Sequence, residues 1–111
     1  MNEVPLKYQV IIARGNIYIP LATYDAYLKN IEAVALLPHD EGILLFPLIQ
    51  DSAGGLLLTT RNLNGDRLVH AQEFFRNNGY AEKFIEKPSF VSWLTDRAAL
   101  LIRDVDRVIG W

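Results

Sequence analysis

Cysteine is absent from the 111 residues, which excludes disulfides, cysteine nucleophiles and every thiolate zinc site. An excess of positive charge is lacking too: eleven Lys and Arg stand against thirteen Asp and Glu, a formal net charge of −2. There is therefore no polybasic footprint of the kind that points by itself to nucleic acid. Long apolar runs are also missing. The longest, Ile43 to Ile49, contains Pro47 and falls far short of the roughly twenty residues that span a bilayer. Glu3 and Lys7 flank only a short apolar stretch near the N-terminus, which is not a signal-peptide pattern. Neither phosphate-binding glycine motif, G-x-x-x-x-G-K-[ST] or G-x-G-x-x-G, occurs, and Gly54-Gly55 reads as the end of a linker. These absences lead to the expectation of a cytoplasmic protein with no membrane partner and no cofactor.

What is present is an ordinary core-forming composition. Half of the residues are hydrophobic, enough for one domain without staples. Lys7 to Ala13 suits a strand, Arg14-Gly15-Asn16 a turn, and Ile17 to Ile19 a second extended piece ended by Pro20. Pro fits the first turn of a helix, and Leu21, Tyr24, Leu28 and Ile31 share one helical face. Ala33 to Leu37 and Ile43 to Phe46, around Pro38 to Gly42, read as a hairpin.

The second half repeats this grammar. Leu56 to Thr60 is a strand, Asn62 to Gly65 a turn, Leu68-Val69 an extended piece, and Ala71 to Asn78 a helix stopped by Gly79. An offset of 50 aligns Gly15 with Gly65, Ile19 with Val69 and Tyr24 with Phe74. Beyond the helix an offset of 56 places Leu37 on Trp93 and Leu44-Leu45-Phe46 on Leu100-Leu101-Ile102. The chain thus reads as one domain of two degenerate β-α-β-β units, residues 1–48 and 54–103, joined by 49–53 and followed by a tail at 104–111. Two readings stay open for 98–109: strand by the repeat, or part of a helix from Thr95, whose apolar residues are also helically spaced.

Gly15-Asn16-Ile17-Tyr18-Ile19-Pro20, followed by a short helix and a hairpin, resembles the signature of the AbrB and MraZ family of small transcription factors. Gly65-Asp66-Arg67-Leu68-Val69-His70 before Ala71-Gln72-Glu73-Phe74-Phe75 looks like the second copy that MraZ proteins carry. The resemblance implies a mainly β fold with short helices, a swapped-hairpin β-barrel in which the two units interlock. It also implies a non-enzymatic DNA-binding regulator that forms homo-oligomers. Arg14, Arg61 and Arg67 are the candidate phosphate-contacting residues, on the turns of the DNA-facing surface. The family places Arg directly after the turn glycine; here Asn16 follows Gly15, and Arg67 comes one position late, behind Asp66.

The alternative is an assembly module, with an unknown protein partner, that keeps the barrel without the DNA surface. Asp51, Asp66 and Glu41 neutralising the arginine face would favour it. His39-Asp40-Glu41 reads as a hairpin turn rather than a metal site, because adjacent residues point apart and no second cluster supplies ligands. His70 reads as a capping or packing residue. Ser52, Ser89 and Ser92 lack a nucleophile's context, and no catalytic or metal-binding residue is expected.

Overall fold

The computed structural model describes residues 8–49, 55–82 and 86–105. Its elements are β1 (Gln9–Ala13), β2 (Asn16–Ile19), α1 (Leu21–Thr23), β3 (Ala33–His39), β4 (Gly42–Leu48), β5 (Leu56–Leu57), β6 (Thr59–Thr60), β7 (Arg67–His70), α2 (Gln72–Asn77), β8 (Lys87–Leu94) and β9 (Ala99–Arg103). All pairings are antiparallel, in the order β5-β3-β4-β9-β8-β1-β2-β7-β6. Only Leu58 separates β5 from β6, so the two ends of this order meet and the sheet is a nearly closed barrel.

The first turn is a two-residue hairpin, with Ala13 paired to Asn16. Arg14 (φ 53°) and Gly15 (φ 75°) are both left-handed, the geometry that matches strand twist. Inward residues alternate along the strands as period two requires. Val10, Ile12, Ile17, Ile19, Val34, Ile43, Leu45, Val69, Leu100 and Ile102 form one core with Leu28 and Phe75 from the helical segments. Each such side chain contributes about 1.5–3 kcal/mol by leaving water.

Each half depends on the other. The β3–β4 hairpin pairs through β3 with β5, the first strand of the second half. The β8–β9 hairpin pairs through β8 with β1. The halves also join along β2·β7 and β4·β9. A lone hairpin is marginal in water; here neither is alone.

Several expectations need correction. Residues 99–103 form strand β9 and 95–98 a turn, so the helix reading fails there; 106–109 lie outside the described residues. Pairing Ile102 with Ile43 and Val91 satisfies two strand ladders, which a helix could not do.

The first helix is shorter than its periodicity suggested. After α1 the chain widens into a π-helical turn, Tyr24–Leu28, and ends before Ile31 with Asn30 left-handed (φ 67°). Tyr24 and Leu28 are buried while Leu21 is exposed.

The offset of 56 also fails, on parity. It would match core-facing Leu45 to Leu101, which packs in a separate cluster with Leu44 and Ala99. The second hairpin has a four-residue turn between Leu94 and Ala99, the first a two-residue turn between His39 and Gly42. Counterparts therefore lie 55 apart before the turn (Leu36 and Val91) and 57 apart after it (Ile43 and Leu100). A one-residue slip in a strand moves every side chain to the other face. In the helices, Tyr24 N–H donates to Pro20 O and Phe75 N–H to Ala71 O, so Tyr24 corresponds to Phe75 rather than to Phe74.

Candidate functional site

The candidate arginines occupy the two turns at opposite ends of the β2·β7 ladder. Asn16 pairs with His70 at one end and Ile19 with Arg67 at the other, a separation of roughly 10 Å for a four-residue ladder. Arg14 is exposed at the tip of the β1–β2 turn. Arg61 and Arg67 flank the β6–β7 turn. The structure thus places Arg61 and Arg67 on one turn, over rings on opposite faces of the ladder, and Arg14 on the other turn.

Both of the neighbouring arginines lie on tyrosine rings. The Arg61 guanidinium is 4.5 Å from the centroid of Tyr18 and that of Arg67 is 4.1 Å from the centroid of Tyr24. Such stacking fixes a planar guanidinium and satisfies part of its charge. Arg67 Nη1 also donates to the carbonyl of Gly65.

Asp66 organises this turn. Its Oδ2 accepts from Asn62 Nδ2 at 3.0 Å and its Oδ1 from the Leu21 backbone N–H at 2.9 Å. Asn62 Oδ1 in turn accepts the backbone N–H of Asn64 (3.1 Å) and of Asp66 (3.2 Å). The Asn62 amide, then the Leu21 N–H, then the nearby Arg61 charge hold the Asp66 carboxyl below the ordinary aspartate range. α1 has no capping side chain at Pro20, so Asp66 supplies from the second half the acceptor that a helix N-terminus needs.

The other turn carries a carboxylate too. Glu82 Oε1 lies 3.1 Å from where a Cβ on Gly15 would sit, beside Arg14 in sequence, while Glu82 Oε2 pairs with Arg76 Nε at 3.3 Å. Glu41, one of the acids weighed against the arginines, pairs instead with Arg103 at 3.0 Å on the far hairpin. Asp51 and Ser52 lie outside the described residues.

The remaining polar residues take structural places. His39 Nδ1 accepts the backbone N–H of Glu41 at 3.0 Å, as a turn residue does. His70 is exposed at the end of β7, and α2 has no side-chain cap bond, so the capping role is not realised. Ser92 Oγ accepts from Arg103 Nε at 2.9 Å, and Ser89 is buried. Among the described residues no group of three His, Asp or Glu could hold a metal, and no helix is long and apolar enough to cross a membrane.

Sequence reasoning missed Glu82 and both tyrosine partners. Glu82 sits far from Gly15 in the chain, and only the docking of α2 against the first turn joins them. A cleft of about 420 Å³ between α2 and the β3–β5 edge, lined by Leu36, Leu56, His70, Glu73, Phe74 and Asn78 among others, was equally invisible, because its walls come from both halves. No family model matches the chain, nor does any curated protein or solved structure.

Proposed function

We propose that the protein is a non-enzymatic protein-interaction module on a tandem AbrB/MraZ-like barrel. The pairing of each half's hairpin with the first strand of the other half supports that kinship. The observation that carries the functional reading is the presence of a carboxylate in each turn where the resemblance places phosphate-contacting arginines: Asp66 between Arg61 and Arg67, and Glu82 against Gly15. A phosphate approaching the β6–β7 turn meets an acid already bonded to Asn62 and to the Leu21 N–H, and one approaching the first turn meets Glu82, which is paired with Arg76. With a net charge of −2, the chain has little long-range attraction to offset that repulsion. Exposed apolar strand residues, Leu37 (51%), Leu57 (63%) and Phe90 (44%), also suit a protein partner better than a polyanion.

The second reading is the DNA-binding regulator that the resemblance implies, and the exposed Arg61 fixed on Tyr18 favours it. A salt-titrated gel shift on genomic fragments separates the two. The module reading expects no retention even at about 50 mM salt, where phosphate contacts are strong, and expects Asp66→Asn/Glu82→Gln to gain retention. Retention of the unaltered protein that falls steeply with salt overturns it.

A further inference from the structure

Asparagine stands directly before glycine at Asn64-Gly65 and at Asn78-Gly79. Both glycines are left-handed, with φ 94° and 76°, and the missing Cβ leaves each backbone nitrogen open to close approach. Such a nitrogen, once it has lost its proton, is a nucleophile toward the carboxamide carbon of the residue before it. The two pairs differ in how firmly that carboxamide is held.

Asn64 is exposed in the β6–β7 turn, and among the described residues nothing bonds its carboxamide. Bringing Gly65 N onto Asn64 Cγ breaks one backbone bond, from Gly65 N–H to Asn62 O at 3.2 Å. Asn78 is half-buried at the end of α2. Its Nδ2 donates to Phe74 O at 2.9 Å and its N–H to the same carbonyl at 3.1 Å. Freeing that carboxamide strips the last turn of α2, whereas an exposed turn opens locally and often.

We propose that Asn64 is a site of spontaneous deamidation, and that its isoaspartyl product unfastens the second half's turn from the first half's helical segment. Gly65 N displaces ammonia from Asn64 Cγ and closes a cyclic imide; water then opens either imide carbonyl, leaving aspartate or isoaspartate. The net change is water taken up, ammonia released and one carboxylate gained. In the isoaspartate the chain runs through the former side chain, one methylene longer between the N–H of residue 64 and that of Asp66. Asn62 Oδ1 accepts both of those N–H groups, at 3.1 and 3.2 Å, and the longer link cannot present both to it. Asn62 Nδ2 also holds Asp66 Oδ2 at 3.0 Å, while Asp66 Oδ1 accepts the Leu21 N–H at 2.9 Å. Displacing Asp66 from Asn62 therefore displaces it from Leu21. The aspartate product keeps the backbone length and with it the tie.

The test ages the full chain in warm, mildly alkaline buffer and follows its proteolytic peptides by mass and chromatographic retention. The peptide containing Asn64 is expected to gain one mass unit, split into two products, and react faster as pH rises. Asn64 is expected to convert about five- to tenfold faster than Asn78, the protection given by roughly one further hydrogen bond. The charge-shifted fraction of the aged protein is expected to show a displaced Leu21 amide resonance in proportion to its isoaspartyl content. Asn64→Asp, which adds the charge without the methylene, is expected to leave that resonance in place, and Asn64→Ser to stop the mass change. Conversion of Asn78 as fast as Asn64, no conversion of Asn64, an unmoved Leu21 resonance in the isoaspartyl form, or an equal displacement in Asn64→Asp would overturn the inference.

Discussion

Tyr80 donates its hydroxyl to the carbonyl of Gly42 across a buried 2.7 Å hydrogen bond that spans 38 residues of chain. It ties the segment after α2 to the start of β4, so it fastens the second half's helix to the first half's hairpin. Phe74 and Phe75 pack around the same ring, each with its centroid 5.6 Å from it. Tyr80→Phe keeps that packing and leaves the Gly42 carbonyl without its side-chain donor. The expected loss is about 1–3 kcal/mol, measured as a lower denaturant midpoint with an unchanged m-value.

Gly42 itself is set by close approach. A Cβ there would lie 1.8 Å from the Ile102 carbonyl oxygen, in the ladder where Gly42 pairs with Arg103. Backbone cannot yield as a side-chain tip can, so Gly42→Ala must open the β4·β9 pairing. A loss of at least about 3 kcal/mol is expected, with loss of amide protection concentrated on Ile43 to Leu45 and Leu100 to Ile102.

Asp66 makes a pH-dependent contribution whose sign follows from its lowered pKa. A carboxyl held below its unfolded value of about 3.9 stabilises the fold above that value, and the contribution disappears as pH falls through the folded pKa. Asp66→Asn is expected to flatten the acid limb of the stability profile in that window. A carboxyl resonance titrating at or above the ordinary aspartate value would contradict the assignment.

Arg14 sits in left-handed backbone (φ 53°) at the first position of a turn that favours Asn-Gly. Arg14→Asn preserves the turn and relieves the penalty that a long side chain meets there, so it is expected to stabilise the protein by about 0.5–1 kcal/mol. Under the regulator reading the same variant also lowers DNA retention, whereas under the module reading neither the variant nor the unaltered protein is retained.

Much of the fold was legible in the sequence because its signals are local. Pro20 marked a helix start, Gly15 and Gly65 marked turns, and Ile17 to Ile19 marked an extended piece. The strand character of Ala99–Arg103 was ambiguous for the opposite reason: a short apolar run carries both periods, and pairing with β4 and β8 decides it. The parity of the second hairpin escaped because a two-residue difference in turn length is silent in composition yet displaces the register on either side of the turn. The candidate site was least legible. Arg61 and Arg67 could be named, but that Tyr18 and Tyr24 would lie beneath them, and that Glu82 would seat against Gly15, depends on the docking of one half against the other.

That dependence gives the last prediction. β5 completes the first half's hairpin, β1 completes the second's, and the core mixes Ile17, Ile43 and Leu45 with Val69, Phe75 and Leu100. A fragment ending at residue 53 and one starting at residue 54 would each expose edge strands and half of a core. Units this small seldom fold alone. Each fragment is expected to lack cooperative unfolding by circular dichroism, and an equimolar mixture to regain the strand signal and the amide protection of the β2·β7 ladder. A single fragment that unfolds cooperatively as a monomer would show that the hairpin exchange is dispensable.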